Sequence, residues 1–276
     1  MTPPRNAVQR RGGGRFYPYP LHASEEEQKQ YPSSTSATGM WPKPWAMPWA
    51  SKMAAERAVE LHKSGGLDAL LQQGDKVALD AIKGAFRHAR DDAAVAGSKV
   101  HEAWEEYLKE PSALRRIRDE LPELAQQMFD GLMELTRKYN VEWERSEQTA
   151  YNHDHEYAGT FDGIVTMDVA GKRKRLLVDI KTSKSATREE YAAQLSSYRY
   201  ATHIIHDDGT EEAMPSVEGC VIFHVRPDGA QVIPVNTDEE VFAGFLTCLA
   251  LLRVSKDDRQ LFWPPLPEPE AETGDK

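Results

Sequence analysis

Residues 157–198 constrain the fold more than any other part of the chain, because two alternating apolar runs joined by a glycine turn lead into a helical pattern. The run AGTFDGIVTMDV, from Ala158, alternates at period two. It predicts a strand with Phe161, Val165, Met167 and Val169 on one face, and Thr160, Asp162 and Ile164 on the other. Gly171 and the basic run Lys172, Arg173, Lys174, Arg175 mark a turn. In the second run, LLVDIK, Leu176, Val178 and Ile180 share a face and Asp179 and Lys181 the opposite one. Two charges on an apolar strand are costly to bury without partners. The strand is therefore either an edge with one wet face or a carrier of site residues. From about 187 to 205, Tyr191, Leu195, Tyr198 and Ile205 recur at helical spacing, and Gln194 and Tyr198, four apart, project from one side.

Paired strands that carry Asp162, Asp179 and Lys181 offer two carboxylates for a hard cation and an ammonium beside it. The order of these residues resembles the PD-(D/E)xK nuclease superfamily, in its RecB-like, Cas4-like branch of phage exonucleases. That branch carries GxxD, then DxK on the next strand, then QxxxY on the following helix. Here these are Gly159 to Asp162, Asp179-Ile180-Lys181, and Gln194 to Tyr198. DxK alone is common by chance, whereas all three in order, on the expected elements, are a specific signal. A second region agrees. Tyr31-Pro32-Ser33, followed by KPWAMPWASKMAAERAVE, is similar to the opening of such exonucleases, where a helical cap shapes the DNA channel.

The resemblance implies an α/β, restriction-endonuclease-like core, a mixed central sheet flanked by helices, with a helical N-terminal extension. It also implies a ligand set. Gly97 to His101 fits the GxxxH pattern of the helix that precedes the sheet, so His101 joins Asp162, Asp179 and the Ile180 carbonyl in holding Mg²⁺ or Mn²⁺. Read without the family, a histidine on an apolar helical face is a core residue. Lys181 is expected to position or deprotonate the attacking water, with Gln194 and Tyr198 as supports. Glu147, on the strand preceding Asp162, matches a family glutamate that binds a second metal or orients water; its alternative is a solvated strand carboxylate. Arg87 or Arg90 is the expected phosphate contact. The implied activity is metal-dependent hydrolysis of DNA phosphodiesters in phage recombination or repair, beside a single-strand annealing partner. A homo-oligomer stays open. Many Cas4 proteins hold an iron–sulfur cluster on four cysteines; with Cys220 and Cys248 alone, this chain is expected to lack it.

Composition adds limits. A formal charge of −10 argues against a general nucleic-acid coat, although a local basic groove is compatible with it. The basic turn at 172–175 is either such a surface or a solvated turn. Both cysteines lie in apolar patterns, as in a reduced, cytoplasmic protein. No apolar run is long enough to cross a membrane. His153-Asp154-His155-Glu156 invites a zinc reading, but the segment reads as a hairpin loop, with no second ligand cluster at zinc spacing.

The expected organisation is a disordered tail over 1–30, a helical cap over 31–90, a catalytic core over 91–256 and a disordered acidic tail over 257–276. Within it, Pro48 opens a helix over 49–63 that ends at Gly65 and Gly66. Trp41, Trp45 and Trp49 either pack the cap or stack on bases, packing being the simpler reading. Helices follow over 67–108, broken at Gly74, and over 111–139, broken at Leu121-Pro122, with Leu124, Met128, Leu132 and Leu135 inward. A hairpin turns at 227–229, and Asp238 caps a last helix to about 255.

Overall fold

The computed structural model describes residues 6–9 and 14–256; the side chains of 88–93 and 256, and the acidic tail expected over 257–276, lie outside the described residues. The segment expected to be a disordered tail instead carries strands. β1 (Val8–Gln9), β2 (Arg15–Tyr19) and β3 (Lys29–Pro32) pair antiparallel in that order. Sequence periodicity misses them because they anchor through a few tyrosine rings, Tyr17 and Tyr19 in β2 and Tyr31 in β3, rather than through an alternating apolar face. Tyr17 and Tyr31 are buried against Tyr151, Ala158 and Ile205 of the main sheet, and one aromatic ring buries enough area to hold a short strand.

The cap follows as α1 (Ser34–Thr38), α2 (Ala46–Lys63), α3 (Gly66–Gln73) and α4 (Asp75–Lys109). Pro48 sits in the first turn of α2, where its missing N–H costs nothing, and Gly65 takes the left-handed φ of 70° that ends the helix. Trp41 packs against Gly244, Trp45 lies under the Arg188 guanidinium, and Trp49 meets Phe86 of α4 edge-on. Each tryptophan thus has a packing partner within the protein, and each stays partly exposed. α4 has 35 residues, roughly 50 Å of helix. It runs unbroken through the boundary expected between 90 and 91, so cap and core share one rod.

After a 3-10 turn at Pro111–Ala113 come α5 (Leu114–Asp119) and α6 (Glu123–Lys138), separated at Leu121-Pro122. Met128, Leu132 and Leu135 are buried, but Leu124 is exposed, because Ala125 takes the inward position one residue on. The remaining elements are β4 (Glu142–Asn152), β5 (Tyr157–Val169), β6 (Lys172–Lys181), α7 (Glu189–Arg199), β7 (His203–Ile205), β8 (Glu211–Ala213), β9 (Gly219–Arg226), β10 (Gly229–Val235) and α8 (Glu239–Lys256). α7 is shorter than its apolar pattern suggests: Ile205 is not on it but in β7, opposite Thr149. Asp238 Oδ1 accepts the Val241 N–H at 3.0 Å and caps α8.

The main sheet has seven strands in the order β10-β9-β6-β5-β4-β7-β8, mixed because β6 and β9 run parallel while the other neighbours are antiparallel. α4 and α6 cover one face through Val100, Trp104, Phe129 and Leu132, packed on Val165, Val178, Ile180 and Phe223. α7 covers the other through Leu195 and Tyr198. α8 lies outside α7 and against α1, around Phe245 and Leu249. This is the α/β layering expected, a mixed sheet between helices. Among the described residues, no helix is long and apolar enough to cross a membrane.

Candidate metal centre

The site sits where the central hairpin opens. β5 and β6 pair from Val169–Lys172 up to Gly163–Val178, and then part. Beyond that pair β6 keeps its ladder with β9, through Asp179, Ile180 and Lys181 opposite Ile222, Phe223 and His224. Asp162 occupies the fork. Its Oδ2 accepts the Ile180 N–H at 2.6 Å, in place of a strand partner. The Ile180 carbonyl accepts from His101 Nε2 at 3.1 Å, and His101 Nδ1 lies 3.6 Å from Asp162 Oδ1.

Strict alternation puts Asp162 with Ile164 and Phe161 with Val165; the structure overturns both pairings. Phe161 packs with Ile164, Leu195 and Tyr198 on the α7 side, whereas Val165 belongs to the α4 side. The parity changes near Gly163, which meets the Trp143 ring so closely that a Cβ has no room there. β4 is irregular at the same level. Its ladder to β5 skips Glu144, and Glu147 has φ 49°, a left-handed value that is uncommon for a non-glycine residue. The kinks separate the two glutamates. Glu144 pairs with Arg175 and Thr166, away from the fork. Glu147, with His101 and Asp162, places ligand atoms within 4.8 Å of one another.

α4 supplies His101 because Gly97 lets the helix reach the β6 end. A Cβ on Gly97 would stand 2.5 Å from Thr182 Oγ1. Gly97→Ala is expected to be near neutral, since the hydroxyl can rotate aside and alanine gains up to ~1 kcal/mol of helix propensity. Gly97→Leu is expected to cost ~1–3 kcal/mol by overpacking. Thermal melts of the two variants check this, and equal melting temperatures would remove the close-approach argument.

Behind the fork, on the α7 side, Lys181 Nζ lies 2.6 Å from Asp179 Oδ2, a close ion pair set off the hydrogen-bond direction. Lys181 also donates to Gln194 Oε1 at 3.4 Å, and Gln194 Nε2 donates to the Tyr198 hydroxyl at 3.0 Å. The Tyr191 ring lies 4.8 Å from Lys181 Nζ. Burial raises Asp179 to about 6 despite Lys181. Burial pushes Lys181 down, but Asp179 and Asp162 outweigh it and leave the lysine above its ordinary value, an ammonium. Burial, then Asp162 and Glu105, raise Glu147 to about 9. Burial likewise raises the Tyr198 hydroxyl.

His101, Glu147, Asp162, Asp179, the Ile180 carbonyl, Lys181, Gln194 and Tyr198 therefore converge on the open end of one hairpin. Two neighbours carry no motif in the sequence. Tyr191 lies one turn before Gln194, and Glu105, four residues after His101, acts on Glu147; helical spacing was the signal for both. Arg87 is exposed, and the Arg90 side chain lies outside the described residues. The basic run at 172–175 is at the far end of the hairpin from the site. The run is not a turn but the start of β6, opposite Thr166 to Val169 of β5; Arg173 pairs with Glu142 and Asp168, and Arg175 with Glu144, so two of its four cations are paired away from the site.

The donors suit a divalent cation. His101, Glu147 and Asp162 bring their ligand atoms together, and Asp179 is not in that group but pairs with the Lys181 ammonium behind it; carboxyl oxygens with one imidazole are donors that Mg²⁺ or Mn²⁺ accepts. A second cluster of metal-ligand type, His153, His203 and Glu211, lies elsewhere in the fold. The His153–Glu156 run does not act as a unit in it. His155 turns to Phe242 and its N–H to Asn152. Both cysteines are free and buried.

No protein-family model matches the chain, and no curated protein matches it. Among solved structures the chain is similar to one titled "Crystal structure of SSO0001", at 17% identity and a TM-score of 0.30, over 60% of this chain and 72% of that one. A likeness this distant carries no functional argument.

Proposed function

We propose that the chain is a PD-(D/E)xK nuclease of the RecB-like, Cas4-like branch: a Mg²⁺- or Mn²⁺-dependent exonuclease that hydrolyses DNA phosphodiesters in phage recombination or repair. The observation that carries the reading is the fork between β5 and β6, where Asp162 and the Ile180 backbone meet His101 and Glu147 while Asp179 and Lys181 stand directly behind. His101, Asp162, Asp179 and the Ile180 carbonyl would hold the cation. The cation's chemistry is to offset charge on the scissile phosphate and to acidify a bound water.

The remaining work falls to the chain. Lys181, kept charged by Asp179 and Asp162, is suited to hold a water or phosphate oxygen by charge and hydrogen bond rather than to take a proton. Gln194 restrains the lysine, and Tyr198, fixed in the α7 core, restrains Gln194. Tyr191 bounds the lysine on its other side. The cationic side chains of the β6–α7 loop and the neighbouring β9 end, Lys184, Arg188 and Arg226, are nearer candidates for phosphate than the basic run at 172–175. Their contacts would make binding weaken with salt.

The test uses end-labelled linear and closed circular DNA with EDTA, Mg²⁺ or Mn²⁺. Progressive loss of linear DNA alone, dependent on metal and absent in Lys181→Ala, is the expected result. Cutting of the circle would favour a structure-specific endonuclease on the same site. Cleavage in EDTA, or by Lys181→Ala at the wild-type rate, would overturn the mechanism. Binding without cleavage in every condition would make the chain a DNA-binding module.

A further inference from the structure

The second cluster lies at the β7–β8 edge of the sheet and has its own logic. In the register, Tyr151 stands opposite His203, and Ile205 opposite Glu211. His153 is two residues beyond Tyr151, and Ile205 two beyond His203. The three side chains therefore share the face that carries Tyr151 and Ile205, beneath Tyr19 and Tyr31 of the N-terminal sheet. Their ligand atoms lie within 4.8 Å of one another, and His153 Nε2 is 3.4 Å from Glu211 Oε2. Tetrahedral zinc with bonds of about 2.0–2.1 Å sets its ligands ~3.3 Å apart, so little movement would close the set.

The hydrogen bonds fix which atoms are left over. Thr202 Oγ1 donates to the Tyr151 carbonyl at 3.1 Å, so toward His203 it accepts, and His203 Nδ1 carries the proton at 2.9 Å. Nε2 of His203 then keeps its lone pair. His153 Nδ1 is engaged by the Tyr31 hydroxyl at 3.3 Å, while its Nε2 is buried without a hydrogen-bond partner. Glu211 Oε1 accepts from Tyr19 at 2.8 Å, and Oε2 turns to His153. Each of the three thus has one polar atom held by a neighbour and another directed into the cluster, the arrangement by which outer partners orient metal ligands.

We infer that His153, His203 and Glu211 form a binding site for a zinc-class divalent cation that ties the β7–β8 hairpin to the end of β4 under the N-terminal sheet. Two imidazoles and one carboxylate suit zinc better than the oxygen-rich fork does, and a water is the natural fourth donor. The site is independent of the nuclease reading.

The test is a titration of the full EDTA-stripped, dialysed chain with Co²⁺, followed by Zn²⁺ competition. A tetrahedral Co²⁺ visible spectrum, displaced by Zn²⁺, is expected in the wild type and in Asp162→Asn. His203→Gln and Glu211→Gln, each first shown by circular dichroism to fold in EDTA, should weaken binding by more than the ~10–100-fold typical of losing an outer partner. Zn²⁺ should also slow hydrogen exchange across 203–213 in the wild type but not in these variants. No tetrahedral Co²⁺ spectrum in the wild type, or an unchanged one in whichever variant folds, overturns the site.

Discussion

Asp162→Asn is expected to keep its fold and to lose metal-dependent DNA cleavage by at least ~10²–10³-fold, the scale on which a group facing developing charge acts. Asp162 has two tasks in the fork. One oxygen replaces a strand partner for the Ile180 N–H, and the other stands toward His101. Asparagine retains an acceptor for the first task and removes the charge needed for the second. Alanine removes both and strands a backbone donor, at ~1–3 kcal/mol, which would confound activity with stability. The informative comparison is therefore Asn with wild type, by cleavage rate and thermal melt together. An asparagine variant that melts like the wild type and cleaves within about tenfold of its rate would remove Asp162 from the proposed machinery.

Why Asp162 reaches the fork was only half legible in the sequence. The β5–β6 hairpin, α7 and the pairing of Asp179 with Lys181 follow from local periodicity, because regular strands place every second residue on one face. The residues at the site do not obey that rule. Phe161 and Asp162 exchange faces near Gly163, and Glu147 takes a left-handed φ, since the bulge depends on how Trp143 of β4 packs against β5. Helix α4 was legible, and Gly97 marked its close approach. The N-terminal strands were not, because they are held by a few tyrosines whose main-sheet partners lie more than a hundred residues away. The same separation hid His153, His203 and Glu211. A search for zinc at local spacing finds His155, which faces elsewhere, and passes over His203, fifty residues on, which strand register brings to His153.

Glu147→Gln is expected to stabilise the metal-free protein, and to do so more as pH rises. Burial, with Asp162 and Glu105 nearby, lifts the Glu147 carboxyl from 4.5 to about 9. Between those values the folded state keeps a proton that the unfolded chain has released, so the native state binds more protons and stability falls with increasing pH. The favourable contribution is complete below about pH 4.5 and is lost by about pH 9. Glutamine has no proton to lose and should flatten this part of the profile. Because Glu147 shares its shift with neighbouring carboxylates, the expected gain near pH 9 is on the order of 2 kcal/mol, at ~2–4 °C of Tm per kcal/mol for a chain of this size. Melts in EDTA across pH 5–9 measure it, and parallel profiles for the two proteins would remove the argument. A carboxylate that costs stability through its charge, on a backbone that is itself strained, is the kind of local conflict that collects at functional sites. A cation at the fork should relieve the charge, because binding competes with the proton. Mg²⁺ or Mn²⁺ is therefore expected to raise the wild-type Tm more at high pH than at low pH, and Glu147→Gln should lose most of that difference.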